Sequence, residues 1–135
     1  MLQAIMLMAE TWANARSKDP NTKVGACIYD YSTGSMHFGY NGFPKGVDDL
    51  VGRWQRPTKY EYVIHAEENA ILKALAGHCP MDRAALFVTH KPCHKCMRLV
   101  AQVGIKQVYY RHPHDDSKIT DTIANEAGIA LMVMP

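Results

Sequence analysis

This sequence predicts a three-layer α/β fold, a central sheet of about five strands with helices on both faces. Three observations predict it. An N-terminal helical segment and a hairpin are followed by an alternation of helical and strand-like stretches. The chain is 135 residues long and 47% hydrophobic, the size of one domain with enough apolar side chains to bury a core without disulfides. No linker, repeat or low-complexity tract divides it, so residues 1–135 read as a single domain.

The first helix is expected over about residues 2–16. Its start, Met1-Leu-Gln-Ala-Ile-Met-Leu-Met-Ala9, could pass for a signal peptide, but no basic residue precedes it. Glu10, Trp12 and Arg16 continue it at helical spacing. Residues 23–30 and 36–40 form a hairpin through Ser32-Thr-Gly-Ser35, and a long irregular segment follows. Good helix formers ended by Gly77 predict a helix over residues 65–76. Residues 84–89 read as a buried strand, and a helix then runs from Cys93 to about Val103. A strand at 107–110, a helix at 117–127 and a last strand at 129–134 complete the pattern. In such a fold, loops and helix starts converge at strand ends, and a site belongs there.

Charge and cysteine content narrow the function classes. The formal net charge of +2 is small, and Lys and Arg are scattered rather than gathered on one face, so no nucleic-acid partner is indicated. No stretch approaches membrane-spanning length. Of the four cysteines, two belong to a metal motif, and Cys27 and Cys79 read as small buried residues. That usage fits a reducing, cytoplasmic setting.

His65-Ala-Glu67, followed by Pro92-Cys93-His-Lys-Cys96, contains the parts of a catalytic zinc site. One imidazole and two thiolates fill three corners of a tetrahedron and leave the fourth open for water. Cys93 and Cys96, three apart over the first turn of a helix, lie on one face and reach one ion. The helix start favours thiolates there. Glu67, two residues from a ligand, sits beside the metal without binding it, where a general acid/base belongs. H-x-E with P-C-x-x-C is the signature of zinc deaminases acting on cytosine or adenine. A closed structural site is the alternative. It needs a fourth ligand from Cys79, His90 or His94 and leaves Glu67 unexplained.

Beyond these motifs, three blocks carry a resemblance: Asp19-Pro-Asn-Thr-Lys-Val-Gly-Ala26, Gly39-Tyr-Asn-Gly-Phe-Pro-Lys-Gly46 and His65-Ala-Glu-Glu-Asn-Ala-Ile71. Together with the zinc motifs they make the chain resemble, almost end to end, the deoxycytidylate deaminases of the cytidine deaminase superfamily. The resemblance implies the cytidine deaminase-like α/β/α fold and hydrolysis of dCMP to dUMP and ammonia, with one Zn2+ per chain. In that reaction Glu67 moves protons to N3 of the cytosine ring and to the departing ammonia. The resemblance also implies that Val24, Gly25, Ala26 and the Ala66 backbone border the base, and that Asn41 contacts the sugar hydroxyl.

For the phosphate, the sequence offers Lys23, Lys45, Arg53 and the His112-Pro-His114 turn, with Lys23 the first choice from its place just before Val-Gly-Ala. The family tends to carry an aromatic residue near His114, so the histidine there is a departure. A second metal at His112, His114 and Asp115 is a further reading of that turn. The glycine-rich segment around Gly39, Tyr40, Gly42 and Lys45 is either a tight turn or a set of free amides for phosphate. Many members of the resembled family are homohexamers, activated by dCTP and inhibited by dTTP at a site that includes this region. The resemblance therefore implies a homo-oligomer, a regulatory role for those four residues, and Mg2+ accompanying the effector. Trp54, Tyr60 and Tyr62 read either as stacking partners for a nucleotide or as packing of the loop. A deaminase of cytidine, tRNA adenosine or a riboflavin precursor, and a non-catalytic zinc-binding regulatory domain, are the rival readings.

Overall fold

A computed structural model of the chain describes residues 1–113 and 118–135. Helix α1 (Leu2–Arg16) buries Ile5, Met6, Ala9 and Ala13, a stripe at helical spacing. Strands β1 (Gly25–Asp30) and β2 (Met36–Tyr40) pair antiparallel as a hairpin. The short helix α2 (Lys59–Tyr62) is followed by α3 (Ala66–Ala76), β3 (Ala84–His90) and α4 (His94–Val103). Strand β4 (Gln107–His112), α5 (Lys118–Ala127) and β5 (Ala130–Val133) end the chain.

The five strands form one sheet in the order β2-β1-β3-β4-β5. β1 runs antiparallel to both neighbours, whereas β3, β4 and β5 are parallel. Both parallel crossovers step in the same direction across the sheet, so right-handed connections place α4 and α5 on one face. α3 joins them there. Alternate strand residues serve the two faces: Ala26, Ile28, Leu86, Val88 and Val108 pack with the α3, α4 and α5 residues. Cys27, Ala85 and Phe87 pack with Ile5, Met6 and Ala9 of α1. The expected three layers are present.

Two glycines let helices approach the sheet more closely than any side chain would allow. A Cβ on Gly25 would stand 2.0 Å from the Ala9 carbonyl oxygen of α1. One on Gly39 would stand 2.3 Å from the Ala66 oxygen and 2.5 Å from the Ala70 nitrogen of α3.

β3 runs to His90 and β4 to His112 rather than to residues 89 and 110, and β5 spans Ala130–Val133 rather than 129–134; two further differences have a local cause. Ladder pairing of β1 begins at Gly25 rather than residue 23, because the Val24 N–H is taken by the Asn41 side chain instead. The expected irregular segment contains a 3-10 turn at Val51–Trp54 as well as α2. Local pins explain both: Trp54 stacks on Phe43 with centroids 4.3 Å apart, and Lys59 is buried. Trp54 and Tyr62 both pack against Phe43, whereas Tyr60 is 59% exposed. Ser117, His114, Asp115 and Asp116 lie outside the described residues.

Candidate active site

The reversal of strand direction between β1 and β3 brings the start of β1, the end of β2 and the ends of β3 and β4 to one edge of the molecule. The starts of α3 and α4 meet there. His65 is the N-cap residue of α3 and Cys93 that of α4. The Glu68 carboxylate accepts the His65 backbone N–H at 3.1 Å, a capping contact that fixes how His65 enters the helix. On the α4 side, the Thr120 hydroxyl of α5 donates to the Pro92 carbonyl at 3.1 Å.

His65 Nδ1 stands 3.5 Å from Cys93 Sγ and 3.3 Å from Cys96 Sγ, and all three donor atoms lie within 4.8 Å of one another. Tetrahedral zinc with Zn–S about 2.3 Å and Zn–N about 2.0–2.1 Å puts such atoms roughly 3.5 Å apart. The donor set therefore fits zinc. Among the described residues no further His, Cys, Asp or Glu joins this group, and Cys79 lies beyond the opposite end of α3. The charges agree with the geometry. Hydrogen bonding from Cys96 and His65 pulls the Cys93 thiol down to about 3 against its burial. The same Cys93 contact, together with burial, pushes Cys96 up. Two sulfurs this close need a cation before both ionise. The Cys93 contact raises His65 despite its burial.

Glu67, 5% exposed, lines the same cavity as His65 and Cys93. Burial pushes its carboxyl up to about 7, so it is poised to hold or release a proton near neutrality. The cavity measures about 190 Å³, and Val24, Asn41 and Ala66 also line it. Gly25 and Ala26 are buried behind that wall, Gly25 donating its N–H to the Thr89 hydroxyl at 3.1 Å.

Asn41 is the knot of the site. Its side-chain oxygen accepts from the Val24 N–H and the Ser17 hydroxyl, both at 2.8 Å. Its amide nitrogen donates to Asp19 Oδ2 at 3.2 Å and to the Thr22 carbonyl at 2.9 Å. A sugar hydroxyl at Asn41 would have to share one of these positions. Asp19 in turn takes Lys59 Nζ at 3.1 Å, an ion pair whose side chains are 4% and 6% exposed. Buried charges persist when paired and hydrogen-bonded in this way.

Lys23, Lys45 and Arg53 are not among the residues lining the Glu67 cavity. Lys23 lines a separate cavity of about 140 Å³ with Glu10, Asn14, His90 and His112. Arg53 lies over the Tyr62 ring at 4.6 Å, and Lys45 is exposed on its loop. The cavity beside the zinc ligands is instead lined by Arg56, Lys59 and Lys91. No sequence signal marks these three, since a lysine or arginine in a polar loop reads as solvated. Of the glycine-rich-segment residues, Gly39 is buried against α3, the Tyr40 carbonyl accepts from the Asn69 side chain, and the Gly42 backbone bridges Ile64. The second-metal reading rests partly on His114 and Asp115, outside the described residues.

Comparison with known proteins agrees with this geometry. Residues 1–112 match the family described as the cytidine and deoxycytidylate deaminase zinc-binding region. The human deoxycytidylate deaminase is 38% identical over 124 residues, covering 84% of this chain and 68% of that protein. A probable deoxycytidylate deaminase of Caenorhabditis elegans is 42% identical over 105 residues, 75% of this chain and 52% of that protein. The crystal structure of dCMP deaminase from the cyanophage S-TIM5 in complex with dCMP and dUMP superposes with a TM-score of 0.82 at 31% identity, covering 98% of this chain and 95% of that one. With a zinc-fitting donor set at the start of two helices and a family match over most of its length, the chain belongs to the cytidine and deoxycytidylate deaminase family.

Proposed function

We propose that this chain converts dCMP and water to dUMP and ammonia. The observation that carries the reading is the buried Glu67 carboxyl beside the His65, Cys93 and Cys96 donor set at the floor of one cavity. Zinc, when bound, lowers the pKa of a water and makes it nucleophilic toward C4 of the ring. His65, Cys93 and Cys96, at the joint start of α3 and α4, would hold the ion. Glu67 takes a proton from the attacking water and gives it to N3, then carries the proton of the hydroxyl added at C4 to the amino group, which leaves as ammonia; its elevated pKa suits both relays. Val24 and Ala66 wall the base, with Gly25 and Ala26 setting the strand behind them. The preference for dCMP is supported by relatives named as deoxycytidylate deaminases and by the phage enzyme crystallised with dCMP and dUMP.

The finer expectations extend this reading. The chain acts as one domain in the cytoplasm, assembles as a hexamer, and responds to dCTP and dTTP, with Mg2+ accompanying the effector. Of the residues expected to serve that regulation, Lys45 offers an exposed positive charge.

Ammonia release from dCMP, CMP, deoxycytidine and dCTP, each with and without added dCTP or dTTP, tests the proposal. dCMP is expected to be the preferred substrate, and preference for any other overturns the reading. Hyperbolic rates indifferent to both triphosphates remove the regulation, and light scattering on the same sample decides the hexamer.

A further inference from the structure

Three cationic side chains line the cavity that holds the zinc donors, and two of them are already engaged. Lys59 Nζ is bonded to both Asp19 carboxylate oxygens, at 3.1 and 3.3 Å, and to the Asn21 side chain. Lys91 Nζ pairs with Asp121 at 2.8 Å. Arg56 is exposed, lines the same cavity, and has no acidic partner among the described residues. It is therefore the cation left available to an anion entering from solvent.

Position sharpens the point. Of the zinc donors, His65 and Cys93 line the cavity together with Glu67, which is only 5% exposed, and Cys96 is fully buried next to them. Arg56, Thr22 and the 59% exposed Tyr60 are solvent-exposed members of the same lining, the last two adding hydroxyl groups to it. The Arg56 loop is pinned on both sides, by Trp54 stacked on Phe43 before it and by buried Lys59 after it. The Lys59 N–H also closes the loop by donating to the Gln55 carbonyl at 3.0 Å. A cytosine nucleotide with its amino group at the metal end must direct its phosphate away from the metal. A guanidinium fork matches a phosphate bidentately.

We propose that Arg56 is the specificity-determining residue that takes the 5′-phosphate of the nucleotide substrate and selects it over the nucleoside. This rests on the reading of the site as a deaminase of dCMP. Lys59 acts differently: its charge is spent internally, holding Asp19 and through it Asn41.

The test compares kcat/KM for dCMP and deoxycytidine in the wild-type protein, Arg56→Ala and Arg56→Lys, with zinc content as the control for folding. A charge-assisted hydrogen bond of about 1.5–3 kcal/mol corresponds to roughly 10- to 100-fold. The ratio of dCMP to deoxycytidine efficiency is expected to fall by that factor in Arg56→Ala, chiefly through KM. Arg56→Lys should recover part of it, since it restores charge without the fork. If the wild type prefers dCMP and Arg56→Ala keeps the same ratio, or loses both substrates equally, Arg56 is not the phosphate residue although the dCMP reading stands. If the wild type does not distinguish dCMP from deoxycytidine, that reading fails and this inference with it.

Discussion

A carboxyl group with the exposure of Glu67, 5%, stays protonated to about 7 because burial disfavours its charge. Glu67→Gln keeps the shape and removes the titration. Turnover should fall about 100- to 10,000-fold with zinc still near one per chain, read by ammonia release and metal analysis. Retained turnover would assign the proton transfer to another group. Cys27 gives a pH test of a different kind. Burial raises its thiol from 9.0 to about 12, so the folded protein holds that proton more tightly than the unfolded chain. Stability must then decline as pH rises from about 9 toward 12, and Cys27→Ala should flatten that part of the curve in urea titrations. The zinc donors and Glu67 were legible in the sequence because spacings of two and three residues at helix starts define their geometry locally. Lys59 and Arg56 were not. Lys59 meets Asp19, 40 residues back in the chain, Arg56 shares its cavity with residues as far apart as Asp19 and Cys93, and a polar loop carries no periodicity to announce either.

Among the elements, α3 carries His65 at its cap and Ala66 and Glu67 in its first turn, and its distance from the sheet is set by Gly39. Gly39→Ala would drive a methyl into the Ala66 carbonyl and the Ala70 nitrogen, both backbone atoms that can move only with the helix. A shift of about 1 Å at a catalytic group costs on the order of 100-fold in rate. Gly39→Ala should therefore lower both kcat/KM and Tm. The control is Gly34→Ala, at φ 77° in an open turn with no atom within 4 Å, which should cost about 1 kcal/mol and leave activity intact. Loss of activity in the control, or none in Gly39→Ala, would contradict this account of helix placement. Most helices and strands could be located from their periodicity, but α2 and the Val51–Trp54 turn could not. They are held by Phe43, Trp54 and Lys59 rather than by a repeating apolar face.

At the scale of the whole molecule, the sheet joins an antiparallel hairpin to three parallel strands through the β1–β3 pairing. The alternation of elements pointed to this layered class, whereas the strand order and that antiparallel seam depend on long-range pairing that no local pattern displays. The seam also divides the donor set. His65 follows the hairpin side of the chain, and Cys93 and Cys96 belong to the parallel side, with the exposed Gly77-His78 turn between them. A ligand bound only by the folded protein stabilises it by mass action, so a chelator should lower Tm and added zinc should restore it. The same arrangement makes the chain a candidate for a metal-controlled switch. Cut between Gly77 and His78, one fragment would bring a single imidazole and the other two thiols. Zinc concentration would then set how much of the split protein reassembles, with association on size exclusion rising with zinc and reversed by chelation.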